Sequence, residues 1–190
     1  MKNAILFVHG LNGNKNQYKS IIKYLKKKGF DKFYEFCYSE NKGQVPVKEI
    51  AKELSDFISN NVIEEKFDVI GISQGGIIFL TYLKYFKNKE VGKIFTLCSP
   101  HNGSLFAYFG KRPGFIDLRP KSNLLMDVSQ FVKDSNLEIY SIFTPFDLMV
   151  FPGWNARLNY GKVKMVLAPL HPLVFMWPTV KKFIYNNLIK

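Results

Sequence analysis

Six short runs rich in β-branched and aromatic residues, at 4–8, 32–37, 67–72, 93–98, 138–143 and 162–167, are separated by segments whose apolar residues recur at three-and-four spacing. Each run reads as a buried strand. Tyr18, Ile21, Ile22 and Leu25 form one helical stripe, and Val47, Ile50, Ala51, Leu54, Phe57 and Ile58 form a second. Ile77, Ile78, Leu80, Thr81 and Leu83 mark a third helix, apolar on most sides and therefore deep, while Val180, Phe183, Ile184 and Leu188 mark a C-terminal one. Strands that alternate with helices must return by crossover connections, which gives a mostly parallel sheet covered on both faces. The expected fold is therefore α/β, a three-layer α/β/α sandwich around about six strands. A length of 190 residues without an internal repeat or linker predicts one domain spanning 1–190. The stretch from Gly103 to Ser135 breaks the alternation and carries Gly110, Pro113, Gly114 and Pro120 among Phe106, Tyr108, Phe109 and Phe115. So long a connection in a compact chain marks residues 103–136 as a lid, a site-shaping insertion, or one helix with an irregular lead-in.

Composition narrows the partners. A hydrophobic share of 47% with 16% aromatic residues excludes a disordered chain. The net charge of +12 raises nucleic acid and anionic membranes as partners, and almost all of the 27 basic residues are lysine. Those lysines are dispersed over both halves with no basic tail; the densest run, Lys26-Lys27-Lys28, falls at a helix end where cations suit the dipole. No nucleic-acid motif is present, so that class is not expected. Cys37 and Cys98, placed in two buried strands, encode neither a disulfide framework nor a cysteine metal site. Three dispersed histidines make no metal constellation either, and no cofactor is expected. The apolar run after Met1 is too short for a signal-peptide core, and none reaches the length of a membrane span; a soluble, cytoplasmic chain is expected.

The sharpest chemical signal is Gly71-Ile72-Ser73-Gln74-Gly75, directly after one strand and opening a helix. This is a G-x-S-x-G nucleophile elbow in its required context. An abrupt strand-to-helix turn strains the serine and brings backbone too close for side chains on its neighbours, hence the glycines. A serine hydroxyl needs a base, and the choices are His9, His101 and His171. His171, in Pro169-Leu170-His171-Pro172, lies past the last strand, in a loop at the carboxyl edge where a parallel sheet places its ligand crevice. The orienting acid should follow a strand between Ser73 and His171, and Asp147 meets that condition, whereas Asp117, Asp127 and Asp134 lie in the long connection. His9-Gly10-Leu11-Asn12-Gly13 follows the first strand and fits an oxyanion turn, with the Leu11 N–H as one donor, the Gln74 N–H as the second, and His9 structural. It lacks the glycine and lysine patterns of a nucleotide-phosphate cradle.

These residues resemble the α/β-hydrolases, and within them the small bacterial lipases and esterases (triacylglycerol lipase-like) with a minimal six-stranded sheet. The resemblance extends from residue 7 to about 188 and rests on His9-Gly10, the elbow at Ser73, Ser99-Pro100-His101-Asn102-Gly103-Ser104, the Arg119-to-Leu125 segment, and the Asp147 and His171 loops. It implies Ser73 as nucleophile, His171 as general base and acid, Asp147 as orienting acid, the Leu11 and Gln74 amides as oxyanion donors, and His101 as structural. The chain departs from many lipases in having Ile72 and Gln74 around the serine, and in a long apolar loop after the acid.

Both loops are greasy. Phe146, Met149 and Trp154 lie near Asp147 and Phe175 lies near His171, which fits an acyl chain and makes these four the candidate substrate contacts. The expected function is hydrolysis of carboxylic esters, lipid or medium-chain acyl, through an acyl-enzyme. The same triad serves thioesterases and acyltransferases. A catalytically silent lipid-surface protein, resting peripherally on anionic membrane, is the reading from a different class.

Overall fold

The apolar runs become the strands β1 (Ala4–Val8), β2 (Phe33–Phe36), β3 (Lys66–Ile72), β4 (Glu90–Leu97), β5 (Glu138–Phe143) and β6 (Lys162–Met165). In the computed structural model, which describes residues 2–38 and 42–190, they form one sheet in the order β2-β1-β3-β4-β5-β6. Every neighbouring pair is parallel. The helices are α1 (Lys19–Lys27), α2 (Val47–Asn61), α3 (Gln74–Tyr85), α4 (Pro113–Asp117), α5 (Asn123–Asp134), α6 (His171–Val174) and α7 (Pro178–Leu188).

The alternation of side chains along β1 divides the core into two layers. Leu6 and Val8 pack with Ile50 and Leu54 of α2, Ile78 and Phe79 of α3 and Val128 of α5. Ile5 and Phe7 face the other way, onto Ile21 and Leu25 of α1 and Val180 and Ile184 of α7. Side chains of this size contribute roughly 1.5–3 kcal/mol each when fully buried, so the central strands anchor both layers. This is the three-layer α/β sandwich the alternation predicts. No helix among the described residues is long and apolar enough to cross a membrane.

Two of the runs are not buried strands. β2 and β6 are the edges of the sheet; all four residues of β6 are exposed, and its Lys162 and Lys164 charge an edge that would otherwise invite another strand. Cys37 lies one residue beyond the end of β2 and is exposed, so it does not share the burial of Cys98. An edge position halves what a run can bury, which a short sequence window does not reveal.

Residues 103–136 form a 3₁₀ turn (Leu105–Phe109), then α4, then α5. The segment is fastened down at several points. The Gly114 N–H donates to Gly43 O at 3.1 Å, the Val47 N–H donates to Asp117 Oδ2 at 2.7 Å, and Arg119 donates to the carbonyls of Ala107 and Gly110. Because all six strands run the same way, the segments after β1, β3, β4, β5 and β6 leave from one edge, and the site lies there.

Candidate active site

Ser73 stands between β3 and α3 with φ 52° and ψ −124°, a conformation that costs an L residue energy and that the surroundings must enforce. The glycines explain how. A Cβ on Gly71 would stand 2.6 Å from Gly76 Cα, one on Gly75 would stand 2.2 Å from Val8 O, and one on Gly76 would stand 2.1 Å from Ser99 Oγ. The turn is closed by the Ser73 N–H donating to Leu97 O at 2.7 Å. α3 starts at Gln74, immediately after the serine.

The turn after β1 stands against this serine. A Cβ on Gly10 would lie 2.9 Å from Ser73 Cβ and 3.5 Å from Ser73 Oγ. Gly10 is held by its N–H donating to Gln17 Oε1 at 2.9 Å and by its carbonyl accepting from the Gly13 N–H at 2.9 Å. Gln17, missed in the sequence reading, belongs to no motif, and its role arises from the fold of the turn. His9 stacks on Tyr38 with ring centroids 4.2 Å apart and donates from Nδ1 to Gly10 O; burial lowers its pKa. The Tyr38 hydroxyl donates toward His9 O and Gln74 Oε1, at 3.3 and 3.2 Å, which ties the turn after β1 to the elbow. As the first residue of α3, Gln74 has no carbonyl one turn earlier for its N–H to reach.

Across the edge, Asp147 and His171 meet. The His171 Nδ1–H donates to Asp147 Oδ2 at 2.6 Å, with both side chains buried. Asp147 Oδ1 accepts from the N–H groups of Met149 and Val150, each at 2.9 Å. With its proton on Nδ1, the ring keeps Nε2 as an acceptor. His171 is the first residue of α6 rather than a loop residue, and Phe175, one turn on, packs its ring nearly perpendicular to the imidazole with centroids 5.4 Å apart. The connection from β5 is tied to this region by Thr144 Oγ1 donating to Ala168 O at 2.6 Å.

The other titratable candidates are engaged elsewhere. His101 is buried, pairs through Nε2 with Thr96 Oγ1 at 2.9 Å, and has its pKa pushed down to about 3 by burial. Asp117 caps α2 through Val47, Asp127 bonds Tyr85, and Asp134 bonds Gln130. Among the described residues, the side chains close enough together to share a metal ion are Cys98, Asp147 and His171, and two of these are already joined by the 2.6 Å hydrogen bond.

Ser73, Leu11, Gln74 and His171 all line one cavity of about 370 Å³. Its walls are apolar, from Phe106, Phe115 and Leu118 of the 103–136 segment on one side and Leu148, Met149 and Phe175 on the other. Of the four candidate substrate contacts, Met149 and Phe175 line it; Phe146 and Trp154 stand outside, half exposed, with Trp154 packed on Phe143. Leu148 and Val150 of the same loop line it instead, and a loop without a period gives no means of choosing between them. Phe106, Phe115 and Leu118 come from the 3₁₀ turn and the α4 end of the 103–136 segment, and what brings them to the cavity is tertiary packing rather than a local pattern.

A family model of palmitoyl protein thioesterases matches residues 4–136. The chain belongs to the palmitoyl protein thioesterase family. Within this family member the matched residues carry Ser73, the His9-Gly10 turn and the cavity wall from the 103–136 segment, while Asp147 and His171 lie beyond them. No curated protein matches the sequence. Among solved structures, the chain is similar to a lipase-esterase related protein from Clostridium acetobutylicum, at 19% identity and a TM-score of 0.70 over 97% of this chain and 93% of that one. It is also similar to lipase B of Aspergillus fumigatus, at 14% identity and a TM-score of 0.79, covering 100% of this chain and 53% of that one. The phospholipase PlaB of Legionella pneumophila is similar at 18% identity and a TM-score of 0.66 over 74% of this chain, which spans 37% of PlaB. Identities this low establish the lipase- and esterase-like α/β-hydrolase fold, and the thioesterase family adds that the chain is hydrolase-like.

Proposed function

We propose that this protein hydrolyses acyl esters and thioesters through an acyl-enzyme on Ser73. His171 Nε2 takes the Ser73 proton as Oγ attacks the acyl carbonyl, and the resulting oxyanion is met by the N–H groups of Leu11 and Gln74. The C–O or C–S bond then breaks, and the proton on His171 passes to the departing alcohol or thiol. Water repeats the sequence: His171 deprotonates it, the acyl–serine bond breaks, and the acid leaves as Ser73 regains its proton. Asp147 holds the tautomer and stabilises the imidazolium.

The observation that carries this reading is the buried 2.6 Å bond between His171 Nδ1 and Asp147, with His171 and Ser73 lining one apolar cavity. The apolar walls favour an acyl chain as the acid portion. The family match favours a thioester as a leaving-group class alongside oxygen esters. A panel of nitrophenyl esters and acyl thioesters of graded chain length tests it. Turnover and fluorophosphonate labelling should vanish in Ser73→Ala, and Asp147→Asn should lose on the order of 10⁴ in kcat. Turnover that persists in Ser73→Ala would overturn the assignment. Vesicle binding by a wild-type protein that neither labels nor turns over any ester would establish the silent lipid-surface reading instead.

A further inference from the structure

Three glycines for which the proposed chemistry has no use, Gly43, Gly110 and Gly114, gather around one aromatic ring. A Cβ on Gly110 would stand 2.2 Å from Phe115 Cγ and 2.6 Å from Cδ1 and Cδ2, so the Gly110 main chain lies directly on that ring. A Cβ on Gly43 would stand 2.9 Å from Phe115 Cδ2 and Cε2, so the main chain presses on it at a second place. Gly114 lets α4 approach closely enough for this, since a Cβ there would stand 2.9 Å from Gly43 Cα. Both pressing segments are themselves held. Gly43 O accepts from the Gly114 N–H at 3.1 Å, Lys42 O accepts from Arg112 Nη1 at 3.1 Å, and Gly110 O accepts from Arg119 Nη2 at 2.9 Å. A ring packed against anchored main chain at two places has little room to swing aside.

That ring lines the cavity that holds Ser73 and His171. Leu11 borders it, because the same Cβ on Gly43 would lie 3.7 Å from Leu11 Cδ1. Elsewhere the lining can give: Leu148 and Met149 are exposed on their loop, and a methionine side chain adapts to what it meets. Phe115 is therefore the fixed boundary of the cavity. At about 30 Å³ for a group the size of water, which a methylene resembles, the volume of about 370 Å³ holds about a dozen groups, fewer than the carbons of a palmitoyl chain. We propose that Phe115 is the residue that limits acyl-chain length, admitting medium chains such as octanoyl and decanoyl and leaving palmitoyl too long to be enclosed. This deepens the acyl-hydrolase reading above and rests on it. A ring that merely filled space under the segment would leave chain preference untouched.

The test reads chain length in two ways on the full chain. With nitrophenyl esters from butyryl to palmitoyl, wild-type kcat/KM should be higher for octanoyl or decanoyl than for palmitoyl. Phe115→Ala should raise the palmitoyl-to-octanoyl ratio at least about tenfold, the worth of one methylene in an apolar pocket. Phe115→Leu should raise it less and Phe115→Trp should lower it. Each ratio is taken within one variant, so a partial loss of folded protein does not move it. In Ser73→Ala, free decanoate should raise the melting temperature more than palmitate, both below their micelle concentrations, and adding Phe115→Ala should reverse that order. A wild-type preference for palmitoyl, or a ratio that stays put in all the Phe115 variants, overturns the proposal. A wild type that turns over no ester while the fatty-acid order holds would remove the hydrolase reading and keep the role of Phe115. Ser73-dependent turnover with an unmoved ratio would do the opposite.

Discussion

Gly10 carries a constraint that chain flexibility does not explain. Its missing side chain is what lets the turn after β1 lie against the serine, because a Cβ there would sit 2.9 Å from Ser73 Cβ and 3.1 Å from Ile72 O. One of those neighbours is the backbone of β3, which is paired on both sides and cannot yield freely. The turn must move instead, taking the Leu11 N–H with it. Gly10→Ala is therefore expected to lower kcat/KM by about 100-fold, the order of loss that a misplacement near 1 Å produces. Its thermal stability should fall by the lesser amount typical of overpacking, about 1–3 kcal/mol. Steady-state kinetics beside a melting curve checks this, and a variant that loses stability but keeps kcat/KM would show that the turn does not position an oxyanion donor.

Between elements, the most informative contact joins α4 to α2. α2 begins after Pro46, which offers no side chain to its first amides, and the carboxylate of Asp117 in α4 reaches the Val47 N–H from 70 residues away in sequence. One contact thus caps a core helix and fixes the segment that brings Phe115 to the cavity. Asp117→Ala should cost about 1 kcal/mol, the usual value of a lost cap, and lower the melting temperature by about 2–4 °C. It should also raise KM for acyl substrates, while Asp117→Asn, which keeps an acceptor, should do less of each. Unchanged KM in Asp117→Ala would mean that the cavity wall does not depend on this tether. The contact also marks where the sequence stops being legible. Strand centres, the elbow and the Asp147 and His171 positions could be read, because each follows from a local pattern: apolar period, glycines around Ser73, a polar residue just past a strand. The exposure of β6, the cap from Asp117, the grip of Gln17 on Gly10 and the nearness of Cys98 to Asp147 and His171 depend on which elements become neighbours. The edge status of β6 is a property of sheet order, and within Lys162–Met165 only Lys162 and Lys164 hint at it.

We propose that the charge and the apolar rim act together at an anionic membrane surface. Phe109 is 84% exposed at the tip of the segment beside the cavity, Lys111 and Arg112 follow it, and Leu148, Met149 and Phe151 are exposed on the Asp147 loop. Exposed aromatic and aliphatic groups around a site entrance, on a chain of net charge +12, match a surface that is apolar below and anionic above. An acyl substrate held in a bilayer would then be presented directly to Ser73. Binding to vesicles of phosphatidylserine mixed with phosphatidylcholine should exceed binding to pure phosphatidylcholine, and 0.5 M salt should weaken it, since each lysine near such a surface contributes about 1 kcal/mol and that attraction is screened. Phe109→Ser should reduce vesicle binding while leaving turnover of a short soluble ester unchanged, because Phe109 does not line the cavity. Equal affinity for neutral and anionic vesicles would reduce the charge to a general property of a lysine-rich surface, and full binding by Phe109→Ser would move the contact to another face.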